Sequence, residues 1–174
     1  MAGFNNYSKP NNGYGGNNRQ GGYGGNSKQG GYGSSAPVQP AAKAFEFNLD
    51  YLKNGYKRDD GTFNTAYLIS LAKSIGKSLQ GGETGKSKIR TYYDSVESIS
   101  TRVLSGEMTD EQAKIQLAML IPRVADRFAK GTASETFKVF IEKNVNYLID
   151  KSKNFKEDLV YFKLHFEAVV CFAN

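Results

Sequence analysis

The chain has 174 residues, a net charge of +6 and a sequence pI of about 9.3, enough for one domain of ordinary size plus an appendage. No apolar run approaches the ~18–20 residues that span a bilayer, and the start, MAGFNNYSKPNN, lacks the basic-then-apolar order of a secretory signal. The single cysteine, Cys171, excludes an internal disulfide and a cysteine-built metal site, so a reducing cytoplasm is the natural location.

The first stretch repeats itself. GYGGNNRQG (13–21) is followed by GYGGNSKQG (22–30) and GYGSS (31–35), and residues 1–42 hold 11 of the 19 glycines. Such a segment buries too little apolar surface to offset its ordering entropy, so 1–42 reads as a disordered Gly/Tyr/Asn-rich arm, ending in the linker SSAPVQPAA. It carries Lys9, Arg19 and Lys28 and no acid. The arm is either a solubilising spacer or a weak RNA contact, with Tyr14, Tyr23 and Tyr32 stacking on unpaired bases while Arg19 and Lys28 meet phosphates.

Residues 43–62 form an irregular lead-in, with alternation at Phe45, Phe47 and Leu49 and a turn at Asp60-Gly61. Helical periodicity then takes over. The stripes are Leu68, Leu71, Ile75 and Leu79 in 63–79, and Ile89, Tyr92, Tyr93, Val96, Ile99 and Val103 in 86–104. Residues 109–130 offer Ala113, Leu117, Leu120, Ile121, Val124 and Phe128. Phe137, Phe140, Ile141 and Leu148 follow in 133–151, then Leu159, Phe162, Phe166, Val169 and Val170 in 155–173. Thr109 with Gln112, and Thr132 with Glu135, have capping-box spacing, and Asn154 with Glu157 is a weaker version. Pro122 removes a backbone bond inside the third helix, so a bend is expected near Ala118–Pro122. The sum is an all-α, five-helix bundle over 63–174.

GGETGKSKIR (81–90) invites comparison with a phosphate loop. The Walker pattern needs a glycine five residues before the Gly85-Lys86-Ser87 triplet, where Gln80 stands, and a strand ahead of it, where the period is helical. The stretch is instead a helix start, with Thr84 as its cap. That leaves Lys86, Lys88 and Arg90 at a helix N-terminus, where stability alone prefers acids. Cations and backbone N–H groups together suit a phosphate. Lys86 and Arg90 share one flank of the helix and Lys88 lies on the other. In the next helix Arg123, Arg127 and Lys130, extended by Gln116, make one stripe from which Asp126 points away. These clusters are either a solvated charged surface or a track that positions a nucleic-acid strand without reading its sequence.

The same residues carry a family resemblance. GGETGKSKIRTYYDSV, with Gly-x-Thr-x-x-Ser-x-Ile-Arg from Gly82 to Arg90, resembles the turn-and-helix signature of the small subunit of type III-A CRISPR effector complexes, the Csm complex. LIPRVADRFAKG (120–131) and YFKLHFEAVVCFA (161–173) resemble two further blocks, in family order; Ala129 and Lys130 depart from a Gly-Arg pair frequent there. The resemblance covers roughly 65–173 and implies an all-α, non-catalytic subunit that stacks in several copies beside the backbone and large subunits. It implies a basic track along the guide RNA and target RNA, and carry-over assigns Lys86, Lys88, Arg90, Arg123, Arg127 and Lys130 to it.

An enzyme reading finds little material. His165 is the only histidine and reads as a boundary or core residue, so neither a zinc cluster nor a histidine pair is available. Cys171 reads as a small buried hydrophobe, Tyr92 and Tyr93 as core. Glu167 either meets a base from another helix or faces solvent. No cofactor and no metal is expected. Two other functions compete with the CRISPR subunit: a free-standing single-stranded nucleic-acid-binding bundle with a chaperone-like arm, and a protein-assembly module whose cations are only surface.

Overall fold

The structure, a computed structural model, describes residues 44–174; the readings of the arm and linker over 1–42 lie outside them. A short 3-10 turn, Thr65–Tyr67, precedes α1 (Ser70–Leu79) and α2 (Lys86–Leu104). Then come α3 (Asp110–Ala118), α4 (Leu120–Ala129), α5 (Glu135–Asn146), a π-helical turn (Tyr147–Lys151) and α6 (Phe155–Ala173). The fold is all-α, and no strand forms among the described residues beyond one isolated bridge between Lys57 and Phe63.

The expected third helix is present in two pieces. Pro122 has no N–H for the Ala118 carbonyl one turn back, and the chain breaks there, with Met119 closing α3 and opening α4. Because Met119 keeps right-handed helical angles (φ −67, ψ −14), the side-chain stripe continues across the break. The five apolar stripes thus become five rods, the third divided. The first rod is shorter than its periodicity suggests. Residues 63–69 go to the 3-10 turn, capped by the Asn64 side chain at 3.1 Å from the Ala66 N–H, and Ile69 leaves helical geometry before α1 begins.

Capping is only partly as the spacing implies. Thr109 and Gln112 form the expected reciprocal box. At α5 the cap is Ser134, not Thr132, and Ser134 accepts from the Phe137 N–H. Thr132 is occupied closing α4. Gly131, at φ +63, takes the left-handed position that a side chain resists, and the Gly131 and Thr132 N–H groups bond back to Phe128 and Arg127. Thr84 does not cap α2 either; Gly85 holds that position without a side-chain bond. The Thr84 hydroxyl instead accepts from the Ser134 N–H at 2.7 Å and donates to its hydroxyl, tying the starts of α2 and α5 together. Asn154 likewise makes no cap bond and donates to Glu157.

α6 is the central rod, packed against both α1 and α2, while α4 packs on α5. Gly76 permits the α1–α6 approach, since a Cβ there would lie 2.8 Å from the Phe172 backbone. Phe137, Phe140, Phe162 and Phe166 are fully buried, with edge-to-face contacts to Tyr92 and Tyr93. Cys171 is exposed, contrary to expectation: Val169, Val170 and Ala173 face the core, and a residue between them at 100° per step faces out. Glu167 faces solvent.

The lead-in supplies core. Tyr51, Leu52 and Tyr56 are buried, and Phe45 and Phe47 pack against them. Their hydroxyls join a closed chain of hydrogen bonds. Tyr56 donates to Asn144 Oδ1 (2.7 Å), Asn144 Nδ2 donates to the Tyr51 hydroxyl (2.9 Å), and Tyr51 donates to His165 Nε2 (3.0 Å). His165 Nδ1 faces the Tyr67 carbonyl, which can only accept, so Nδ1 carries a proton. Because burial lowers the ring's pKa to about 4, it is neutral near pH 7 with Nε2 accepting.

Candidate nucleic-acid interface

One groove runs between α2 and the α3–α4 rod. Its upper part, about 410 Å3, is lined by Thr91, Tyr92 and Ser95 from one side and Arg123, Arg127 and Lys130 from the other. The lower part, about 560 Å3, shares Thr91, Ser95 and Arg123 and adds Ser98, Gln116 and Met119. Small hydroxyl residues on α2 keep the groove open: Thr91, Ser95 and Ser98 follow a four-then-three spacing and so share one flank. Larger side chains there would fill it.

The sequence-assigned cations divide. Arg123 and Arg127 line the groove and have no acidic partner among the described residues. Lys130 lines it too but pairs with Asp126 at 2.8 Å. Asp126 therefore does not point elsewhere; an i, i+4 spacing brings it back beneath Lys130. Lys88 reaches the groove's end, its ammonium 3.2 Å from the Thr132 carbonyl exposed by the α4 terminus. Gln116 extends the line. Lys86 and Arg90 do not line the groove, though Asp94, the partner of Arg90, borders its lower part. Arg90 pairs with Asp94 at 2.9 Å and lies over the Tyr93 ring.

Sequence reasoning placed Tyr92 in the core, as it is, but not at the groove. Its ring is core, only 5 % exposed, but its edge forms the groove floor. Burial pushes the phenol pKa up, while the Arg127 guanidinium, and then Arg123, pull it back. That oxygen is buried and makes no well-formed hydrogen bond among the described residues, although the Arg127 side chain is close enough to act on it. The three-four arrangement of hydroxyls on α2 was the available signal for the groove itself.

A family model for Csm2 of type III-A matches residues 63–173. The chain belongs to the Csm2 type III-A family. Both walls of the groove lie inside the matched residues, so the groove is a feature of the Csm2 region and not of the lead-in. No curated protein and no solved structure matches the chain. Membership makes it a type III-A CRISPR complex subunit, in a family of structural small subunits that are usually non-catalytic. The match starts at Phe63, so this Csm2 chain completes its core with residues ahead of the matched region, notably Tyr51 and Tyr56.

His165 has no route to chemistry. Both ring nitrogens are engaged inside the core, and burial lowers its pKa to about 4. No group of three or more metal-ligating side chains occurs among the described residues. No helix among them is long and apolar enough to cross a membrane.

Proposed function

We propose that this chain is the non-catalytic, RNA-binding small subunit of a cytoplasmic type III-A CRISPR ribonucleoprotein, and that the α2–α4 groove holds the ribose-phosphate backbone of the guide–target RNA. The observation that carries this reading is the pair Arg123 and Arg127, one turn apart on a groove wall and free of acidic partners among the described residues. An isolated protein gains little stability from such a pair, whereas a phosphodiester chain supplies the missing charge. Lys88 and Lys130 extend the cationic line at one end, and Gln116 extends it at the other. Lys86 and Arg90, across α2, are positions for a separate contact with the same RNA or with a neighbouring subunit.

Exposed apolar side chains support the assembly half of the reading. Leu104 is 60 % exposed at the end of α2, and Ile69 is 63 % exposed ahead of α1. These suit packing against another copy or against backbone and large subunits of the complex. Target cleavage then belongs to those partners.

The test is an Arg123→Ala/Arg127→Ala double variant, measured for single-stranded RNA affinity across a salt series. Each lost phosphate contact should lower the log–log salt slope by roughly 0.7 to 0.9, for all sequences alike. A folded double variant with wild-type affinity and slope would sink the proposal. Co-purification of a guide RNA of defined length with partner proteins checks the assembly.

A further inference from the structure

The upper groove is lined by four hydroxyls, and three of them have given their protons away. Thr91 donates to the Ser87 carbonyl, Ser95 to the Thr91 carbonyl, and Thr132 to the Arg127 carbonyl. Tyr92 is the exception. It is one of two buried side chains whose polar atom lacks any partner among the described residues; the other, Ser100, is not among the groove's lining. Burying a hydroxyl without a hydrogen bond opposes folding. The ring itself is well used, edge-on to Phe137 at 5.3 Å, and phenylalanine would make that contact without the penalty. The hydroxyl is therefore unsatisfied among the described residues, and it lies buried just beneath the wall of a cleft lined by Arg123 and Arg127.

We propose that the Tyr92 hydroxyl is a ligand contact: a backbone phosphate seated between Arg123 and Arg127 draws their side chains onto itself, uncovers the hydroxyl and accepts its proton at a non-bridging oxygen. This rests on the reading of the groove as the RNA interface and names one contact within it. A phosphodiester matches the donors because its non-bridging oxygens only accept. A base edge presents donors beside its acceptors and a sugar hydroxyl brings a proton of its own, and the one carboxylate in the upper lining, Asp126, already pairs with Lys130. A cleft of about 410 Å3 is within the ~300–1,000 Å3 of small-group binding sites.

Tyr92→Phe in the full chain separates this role from packing, because it removes only the oxygen. The melting temperature should equal or exceed that of the wild type. Affinity for a short single-stranded oligouridylate should fall about tenfold, the scale of one hydrogen bond to a charged group. The fall should be the same at every salt concentration, with the log–log slope unchanged, because a neutral donor releases no counterion. On a strand carrying methylphosphonates in place of phosphates, the difference between wild type and Tyr92→Phe should shrink.

Wild-type affinity in Tyr92→Phe, with the arginine double variant impaired, would overturn the tyrosine contact and leave the groove reading standing. No effect in either variant, or no RNA binding by the wild type, would remove both. Destabilisation of Tyr92→Phe by several degrees would show that the oxygen has an internal partner. A tenfold loss persisting with both phosphorus epimers of the methylphosphonate strand would place the contact on sugar or base. Either result overturns the proposal.

Discussion

Tyr56 and Tyr92 are both buried tyrosines in the same bundle, yet their hydroxyls meet opposite circumstances. Tyr56 donates to Asn144 and begins a run of bonds through Tyr51 to His165 and the Tyr67 backbone, with each proton assigned to an acceptor. The Tyr92 hydroxyl is buried at the floor of a groove beside two arginines, with no hydrogen-bond partner among the described residues. The first cluster is closed and complete, so it explains itself as structure. The second is incomplete among the described residues, and the proposed partner is a phosphate of the RNA. Whether a polar group is satisfied therefore separates an architectural tyrosine from a recognition tyrosine better than burial does.

The most severe way to probe the closed cluster is to remove its hub. Asn144→Ala strands the Tyr56 and Tyr51 hydroxyls, opens a cavity and loses the bond to the Phe140 carbonyl. The expected loss is about 4 kcal/mol in denaturant unfolding. A loss below about 1 kcal/mol would mean that water or rearrangement closes the gap and that the two clusters are less different than drawn.

Acid comes next. His165 has a folded pKa of about 4 against an ordinary 6.5, because burial disfavours the cation and Nε2 must accept from Tyr51. The unfolded chain takes up a proton first as pH falls. The contribution is thus full above about pH 6.5 and disappears progressively down to about pH 4, by about 3 kcal/mol. Urea midpoints measured through this window should fall, and His165→Gln should flatten them. A wild-type profile flat from pH 7 to 4 would contradict the neutral, enclosed ring.

Tyr56→Phe sharpens the comparison directly. It leaves Asn144 Oδ1 without its donor, at an expected 1–2 kcal/mol or so, whereas Tyr92→Phe should lose no stability. Equal losses in the two variants would erase the distinction. The smallest effect is expected from Arg90→Ala. Its pair with Asp94 is exposed, so stability should change by less than about 0.5 kcal/mol. RNA affinity should change less than in Arg123→Ala, measured side by side. A larger change would move the main contact to the other flank of α2.

Much of the architecture was legible because a 3.6-residue period leaves an apolar stripe few options. The rods, the Thr109 box, the interruption ahead of Pro122 and the opposite flanks of Lys88 and Arg90 all follow from local chemistry. Thr84, Thr132 and Cys171 were misread for a common reason. Each has two local choices of similar energy, and the neighbouring rod decides between them: Ser134 recruits Thr84, the α4 terminus takes Thr132, and the inward phase of Val169 and Val170 turns Cys171 out. Phe45 and Phe47 alternate like a strand, but the segment's partners lie 88 to 114 residues further on, beyond the range of any pattern.

The chain's own order of residues determined which segments are helical, where one of them breaks and which cations share a flank, since these depend on steps of three and four along a single rod. Only the packed structure decided that α2 and α4 stand far enough apart to leave a groove, that Asp126 returns to Lys130, and that the Tyr92 hydroxyl lies beneath that groove with no partner among the described residues. Those properties belong to distances between rods, which burial of side chains remote in sequence sets.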